Sequence, residues 1–378
     1  MKKIGFLLFL TNFMWSCTGS DSPQKADGTL VTIDTEEILR ISDEYSEEYL
    51  FGRLNGVVVD ADGHILAGDQ SQITIYHFSE DGSYLGSFGQ QGAGPGEFGQ
   101  FFNLGITYDD SLYVQDVMQS RVITFGKNED GQWAFGSTIA LRRGDGGFPS
   151  QFHKISDGDF LVHYMRGVQT SVISEKPYLQ LADRGGDVNG EKILELEPYQ
   201  MHVIQSGNRV IAMGIPYTYH QPFTVSHTGH IYTGFNENLF ISKYDHSGNH
   251  LLDIDFPVDP IEVSREEKDE AVSGFGESAD EVRSRMPDIK PAFTRLLVSD
   301  TGDLWVHRGV VDELEVWLVF SDTGKPMFQV QLPQHFMVSR IRHGNIYGTL
   351  PDVDELVSII VYRYIQDGSS EDFADGSR

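Results

Sequence analysis

Apolar and polar residues alternate with a period of two in short runs along most of the chain, and Gly, Asp or Ser turns cut one run from the next. The clearest passage runs through Val57-Val58-Val59, breaks at Asp60-Ala61-Asp62-Gly63 and resumes at Ile65-Leu66-Ala67. It then alternates through Ile73 to Phe78, breaks at Glu80-Asp81-Gly82 and ends in Tyr84 to Phe88. Asp-Gly pairs between β-prone runs are hairpin signals, because Gly takes positive φ without steric cost. The passage predicts a four-stranded antiparallel meander.

The same unit recurs along the chain. A second copy has Leu104-Gly105-Ile106, Leu112 to Asp116, Arg121 to Phe125 and the turn Glu129-Asp130-Gly131, with Asp116 where the first copy has Asp69. Further copies start at Phe152-His153-Lys154-Ile155 with the turn Asp157-Gly158, at Phe223-Thr224-Val225 with Thr228-Gly229, and at Arg295 to Val298 with Thr301-Gly302. A last copy starts at Val338 to Ile341 with His343-Gly344. The distance from first to second turn is about 19 residues from Gly63 to Gly82 and from Gly229 to Gly248, and about 22 from Gly302 to Gly324, the scale of propeller blades. Six starts therefore predict an all-β, six-bladed propeller of four-stranded antiparallel blades.

The passage Gly89-Gln90-Gln91-Gly92-Ala93-Gly94-Pro95-Gly96-Glu97-Phe98, followed by Leu104-Gly105-Ile106, Leu112 to Asp116 and Arg121 to Phe125, resembles the glycine-rich segment and blade of NHL-repeat propellers. The chain from about Gly52 to Tyr364 is similar to six-bladed propeller lipoproteins of environmental bacteria, through Pro291 to Val306. This resemblance implies a fold and an export route rather than a chemistry, since propellers host many functions. The third copy and the stretch Met201 to Tyr219 depart from the pattern. The last copy offers only three strands, and the apolar run Leu30-Val31-Thr32-Ile33-Asp34 is expected to supply the missing outer strand and close the ring.

Between the fourth and fifth copies, residues 259–290 break the β pattern. Ser264-Arg265-Glu266-Glu267 and Ser278-Ala279-Asp280-Glu281 match the capping box, and Pro287 follows, so two short helices are expected, as a lid over the channel or as a connector.

Composition changes the picture in two ways. With 28 Lys+Arg against 56 Asp+Glu, the net charge of -28 argues against nucleic acid or anionic headgroups as partners. The single cysteine, Cys17, excludes an intramolecular disulfide and multi-cysteine metal sites. It closes a segment with Lys2 and Lys3, an apolar stretch Ile4 to Trp15 too short to span a bilayer, and Ser16, which reads as an export signal. The segment resembles a bacterial lipoprotein signal, which implies that Cys17 is lipidated and that the protein sits in the periplasm or at the outer membrane. An ordinary cleaved signal stays open. The expected organisation is a signal over 1–17, a flexible tether over 18–28, the propeller over 29–366 and an acidic disordered tail over 367–378.

Reading the blades at one register places Arg53, Asn55, Asn103, His153, Thr224, Arg295 and Arg340 at the mouth of the central channel, with His307 and Arg308 close by. In so acidic a chain a locally cationic mouth would focus an anionic ligand, because Arg forks two hydrogen bonds to a carboxylate. Alternatively, the arginines pair with aspartates and tie the blades together. The Gly89 to Gly96 run lacks the Lys-Ser/Thr and the helix of a phosphate loop and reads as blade-junction turns. Thirteen histidines show no ligand spacing, and His227 and His230 flank a turn. The expected function is a ligand- or protein-binding module of the bacterial envelope, its partner a small molecule or a protein. Two alternatives remain: a metal-dependent hydrolase or lyase resembling lactonases, which alone calls for Ca²⁺ or Zn²⁺, and an assembly scaffold.

Overall fold

The computed structural model describes residues 30–44, 46–100, 102–106, 110–143, 147–155, 159–165, 176–206, 209–351 and 356–365. Cys17, the 18–28 tether, the Asp157-Gly158 turn and the 367–378 tail lie outside them. Six four-stranded antiparallel blades form a ring, with first strands Leu54–Val59, Phe102–Ile106, Phe148–Lys154, Phe223–Val225, Arg295–Val298 and Met337–Arg342. Each contains or adjoins an expected blade start. These strands line one central channel.

The turns repeat one device. An Asp, Asn or Ser side chain accepts the backbone N–H four residues on, as in Asp60 to His64, Asn128 to Gln132, Asp245 to Asn249 and Ser321 to Lys325. The residue between them that must take positive φ is Gly63, Gly131, Gly248 or Gly324. Asp69 and Asp116 share another role. Each is buried at the end of a second strand and accepts a backbone N–H from the segment entering its blade, Gly52 at 2.6 Å and Gly99 at 3.0 Å respectively.

Apolar side chains fill the wedges between blades, each wedge being a separate cluster: Val58, Leu66 and Ile75 against Phe102 and Val114 between blades one and two, or Trp305 and Trp317 against Ile341 and Ile360 between five and six. Burial of this kind contributes about 25 cal/mol per Å² of apolar surface.

Closure differs from the expected strand. The outer strand of blade six is Thr35–Ile41, pairing antiparallel with Val357–Tyr364, whereas Thr32–Ile33 pairs parallel with Gln329 and Val330 on the rim of blade five. The reason lies in side-chain placement. Leu39 and Ile41 enter the core between blades six and one, Ile33 enters that between five and six, and Leu30 packs on that between four and five. The N-terminal segment thus crosses three successive seams, and the run Leu30 to Asp34 is its approach rather than the closing strand.

Between blades four and five lie α1 (Arg265–Ala271) and α2 (Ala279–Arg285), joined by a 3-10 stretch Ser273–Ser278. Ser264 and Glu267 form the expected capping box. Ser278 makes no side-chain cap, because α2 continues directly from the 3-10 turn. Val272, Phe275, Val282 and Met286 bury against Ile215, with Met213 of the hairpin Met201–Ser206 and Arg209–Gly214 beside them.

Candidate functional site

The central channel encloses about 370 Å³ and draws lining residues from all six blades. Three of its inner strands carry register shifts at the end that feeds the lining: Leu54/Val57, Pro149/Gln151 and Val338/Arg340. Bulges of this kind re-aim side chains. Gly105 has a steric role as well, since a Cβ there would lie 2.1 Å from the Tyr113 ring, which it allows to reach the channel.

Asn55, Asn103, His153, Thr224, Arg295 and Arg340 all line this cavity, so the common register brings them together. Arg53 is placed elsewhere. Its backbone N–H is held by Asp69, its Nε donates to Gln70 at 3.0 Å, and its side chain is exposed outside the lining. Asn55 donates to the Phe102 carbonyl of the next blade. His307 bridges Thr294 at 2.7 Å and Glu315 at 2.8 Å, and Arg308 donates to the carbonyls of Ala292 and Asp259, so both brace the fold outside the channel.

Arg295 Nη1 donates to the Val338 carbonyl at 2.6 Å, tying blade five to blade six through backbone rather than through an aspartate. Arg340 Nε is buried without a hydrogen-bond partner. Burial holds both guanidinium groups below their ordinary pKa, yet arginine remains protonated at neutral pH. Among the described residues lining the channel there is no carboxylate. His153 has a buried Nε2 without a partner, and desolvation, with His163 adding to it, pushes its pKa down to about 4. The ring is therefore neutral at pH 7. Among the described lining residues, the positive charge of the channel is carried by Arg295 and Arg340.

Sequence reasoning did not single out Tyr113, Gln115 and Gln151, which also line the channel. Gln115 is buried with no partner for its Nε2. The available signal was the polar residue at alternate positions of an otherwise apolar second strand.

A second chamber of about 550 Å³ lies where blades three and four meet. Met165, Pro177, Leu196, Pro198, Met201 and Phe223 make it apolar, and Gln151 and Arg295 line both cavities, so the two meet at those side chains. Tyr199 stacks on His220 with ring centroids 3.5 Å apart. Burial pushes His220 and His163 down to about 4, so these two rings are neutral as well. Among the described residues the one carboxylate in the wall, Glu197, is ion-paired with Lys176. No described residue of the helical insertion lines either cavity. It buttresses the chamber wall instead, with Arg285 donating to the Met201 carbonyl at 3.2 Å.

The glycine-rich run holds no anion site. The Glu97 carboxylate already accepts from Gly94 N at 2.8 Å, and Arg121 donates to the carbonyls of Gly92, Ala93 and Glu97. His230 bonds the Thr228 hydroxyl at 3.0 Å on the turn where the sequence placed it.

The family model described as a 6-bladed beta-propeller, DUF5128, matches residues 29–271. The chain belongs to this family. No match is found among curated protein sequences. Among solved structures, this DUF5128 propeller is similar to a Bacteroides fragilis protein described as exported, at 13% identity and a TM-score of 0.52, covering 88% of this chain and 96% of that one. It is also similar to a member of the duf4221 family from Bacteroides vulgatus, at 10% identity and a TM-score of 0.51, covering 89% and 99%. A gluconolactonase from Xanthomonas campestris matches at 12% identity and a TM-score of 0.43, covering 89% and 98%. At these identities the likeness is one of fold. None of the described helices is long and apolar enough to cross a membrane.

Proposed function

We propose that this DUF5128 propeller is an exported, lipid-anchored binding module that takes a small anionic ligand, its carboxylate in the channel and its apolar body in the adjoining chamber. The observation that carries this reading is the pair Arg295 and Arg340, facing a cavity with no lining carboxylate among the described residues. Arg340 brings a buried guanidinium nitrogen with no acceptor, and an ionised ligand oxygen supplies one. Gln151 and Arg295 stand where the two cavities meet, so a single molecule can place an acid group on one side and an apolar group on the other. Tyr113 and the neutral His153 add hydrogen-bonding capacity without adding charge.

The metal-dependent hydrolase reading finds little support in the channel's donor set. Asn55, Asn103 and His153 could offer donor atoms, but no lining carboxylate balances a divalent charge and two guanidinium groups oppose it. The channel residues do not fit Ca²⁺. Export and anchoring rest on the residues from Lys2 to Cys17 and on the resemblance to lipoprotein signals.

Calorimetry and thermal shift with a panel of aliphatic and aromatic monocarboxylates, each paired with its primary amide, test the ligand class. Acids are expected to bind and raise Tm while amides do not, and the response should vanish in Arg340→Ala. Equal shifts from acid and amide would reject the anionic reading. For the anchor, Cys17→Ser should move the protein from the membrane fraction to the soluble one.

A further inference from the structure

A cluster of metal-ligating side chains stands apart from both cavities, at the seam between blades one and two. Asp60 ends the inner strand of blade one, His64 follows its hairpin turn and His77 lies on the third strand. Asp60 lies two residues past Val58, the last residue of this strand to line the channel, and none of the three side chains lines either cavity.

His77 Nε2 lies 3.3 Å from His64 Nδ1, and His64 Nδ1 lies 3.6 Å from Asp60 Oδ2. One donor atom from each residue falls within 4.8 Å of the others. Ligand atoms at about 2.0–2.1 Å from a tetrahedral zinc ion are separated by about 3.3–3.4 Å. The imidazole pair already has that separation, and the Asp60 carboxylate is a few tenths of an ångström wider from His64 and within 4.8 Å of His77. Two ring nitrogens that face each other at hydrogen-bond distance share at most one proton, whereas a metal ion satisfies both lone pairs.

The carboxylate is set up for the same task. Asp60 is fully buried, and its Oδ1 accepts from Asp62 N at 3.0 Å and His64 N at 2.8 Å, which fixes its plane. Its Oδ2 is left with no aligned hydrogen-bond donor. The cation that approaches it is Lys127 of blade two, with Nζ 2.9 Å from Asp60 Oδ2 and 2.6 Å from Asp62 Oδ2. Asp62 is largely exposed and can keep the ammonium when Asp60 releases it.

We infer that Asp60, His64 and His77 form a zinc-binding site, with water in the fourth position and Lys127 holding the place of the ion in the metal-free protein. Two imidazoles and one carboxylate favour Zn²⁺ over Ca²⁺, which prefers six or more oxygen ligands. Because none of the three residues lines the channel, stoichiometric zinc in the purified protein would not by itself argue for catalysis.

The test is calorimetric titration of the full-length, chelator-treated protein with ZnCl₂ and with CaCl₂ at pH 7.5. One zinc ion is expected to bind and calcium is not. His77→Ala and His64→Ala should each weaken zinc binding by at least about tenfold. Lys127→Met removes the competing ammonium and should tighten it by about fivefold. Since the Lys127 variant gains affinity, misfolding cannot imitate its result, and circular dichroism checks the histidine variants. Cobalt(II) should give the intense visible bands of a four-coordinate site in the wild type and lose them in His64→Ala. The inference is overturned if wild type and Lys127→Met both fail to bind zinc, or if zinc binds as tightly to a folded His64→Ala/His77→Ala protein.

Discussion

The seam between blades five and six and the seam between blades three and four are built from the same repeat to opposite ends. The first is filled by Trp305, Trp317, Phe328, Phe336 and Tyr362, and Ile33 of the N-terminal segment is driven into it from the rim. The second holds Ile155, Leu161, Leu179, Leu196 and Ile231, and beside them the chain leaves an apolar chamber of about 550 Å³. A closed ring needs every seam to hold, but not equally. The closing side carries aromatic packing and a strap, while the three/four side has room for a ligand and is propped by a hairpin and two helices. Division of this kind, with stability concentrated away from the place where binding happens, is common in proteins whose sites need space.

The comparison breaks most readily at the strap. Deleting residues 35–41 should abolish soluble expression or lower Tm by more than about 15 °C, because blade six loses its outer strand and the six/one core loses Ile41. Deleting 30–34 removes the parallel pairing, the bonds from Gln329 to Thr32 and from Ile365 N to the Asp34 carbonyl, and two apolar contacts, and should cost clearly less. Equal losses would show that the rim pairing on blade five matters as much as closure.

Core truncations come next. Trp305→Ala should destabilise by about 3–5 kcal/mol and Leu179→Ala by about 2–3 kcal/mol in urea unfolding, both being buried. A Leu179 variant as costly as the Trp305 variant would mean that the two seams are packed alike.

Acid sharpens the contrast further. His153, His163 and His220 lie on the three/four side and His77 between blades one and two, all with pKa pushed down to about 4, mainly by burial. In the unfolded chain they titrate near about 6.5. The unfolded state therefore binds more protons between about 6.5 and 4, and the stability present above that window is lost as pH falls through it. Tm should drop by on the order of 10 °C between pH 7 and pH 4.5, and His163→Asn should flatten the dependence. A wild-type Tm that does not change over that range would mean that these rings are hydrated.

The smallest expected effect on stability belongs to the channel arginines. Arg295→Met loses the bond to the Val338 carbonyl and should cost about 1 kcal/mol. Arg340→Ala breaks no hydrogen bond among the described residues and should be close to neutral, while removing the carboxylate binding proposed for the channel.

Much of this was legible in the residues. The six inner strands follow from apolar runs before polar turns, Asp-Gly or Thr-Gly in four copies, Asp110-Ser111 in the second and His343-Gly344 in the last, and the register that gathers Asn55, Asn103, His153, Arg295 and Arg340 follows from the same alignment. Arg53 fell outside because it precedes its strand and is held by Asp69 and Gln70, and the bulge at Leu54/Val57 breaks the simple count. The closing strand was displaced by a few residues, because Leu30 to Ile33 is as apolar as Leu39 to Ile41 and only the three-dimensional seams tell them apart. The chamber left no mark in the repeat. It lies where Leu196 to Tyr199 meets the hairpin from Met201, the stretch in which the pattern lapses, and a cavity is a property of what several elements leave between them.

The path of the N-terminal segment also has a mechanical side. A pull applied through the chain ahead of Leu30 reaches the Thr32–Ile33 pairing first, where the Val31 carbonyl accepts from Gln329 N at 2.9 Å and the Gln329 side chain donates to Thr32 Oγ1 at 2.7 Å. Only when that short parallel clasp parts does the load pass to the antiparallel strand Thr35–Ile41 that closes the ring. The clasp on blade five is a sacrificial link. It gives the molecule slack under tension before the strand that closes the ring is strained.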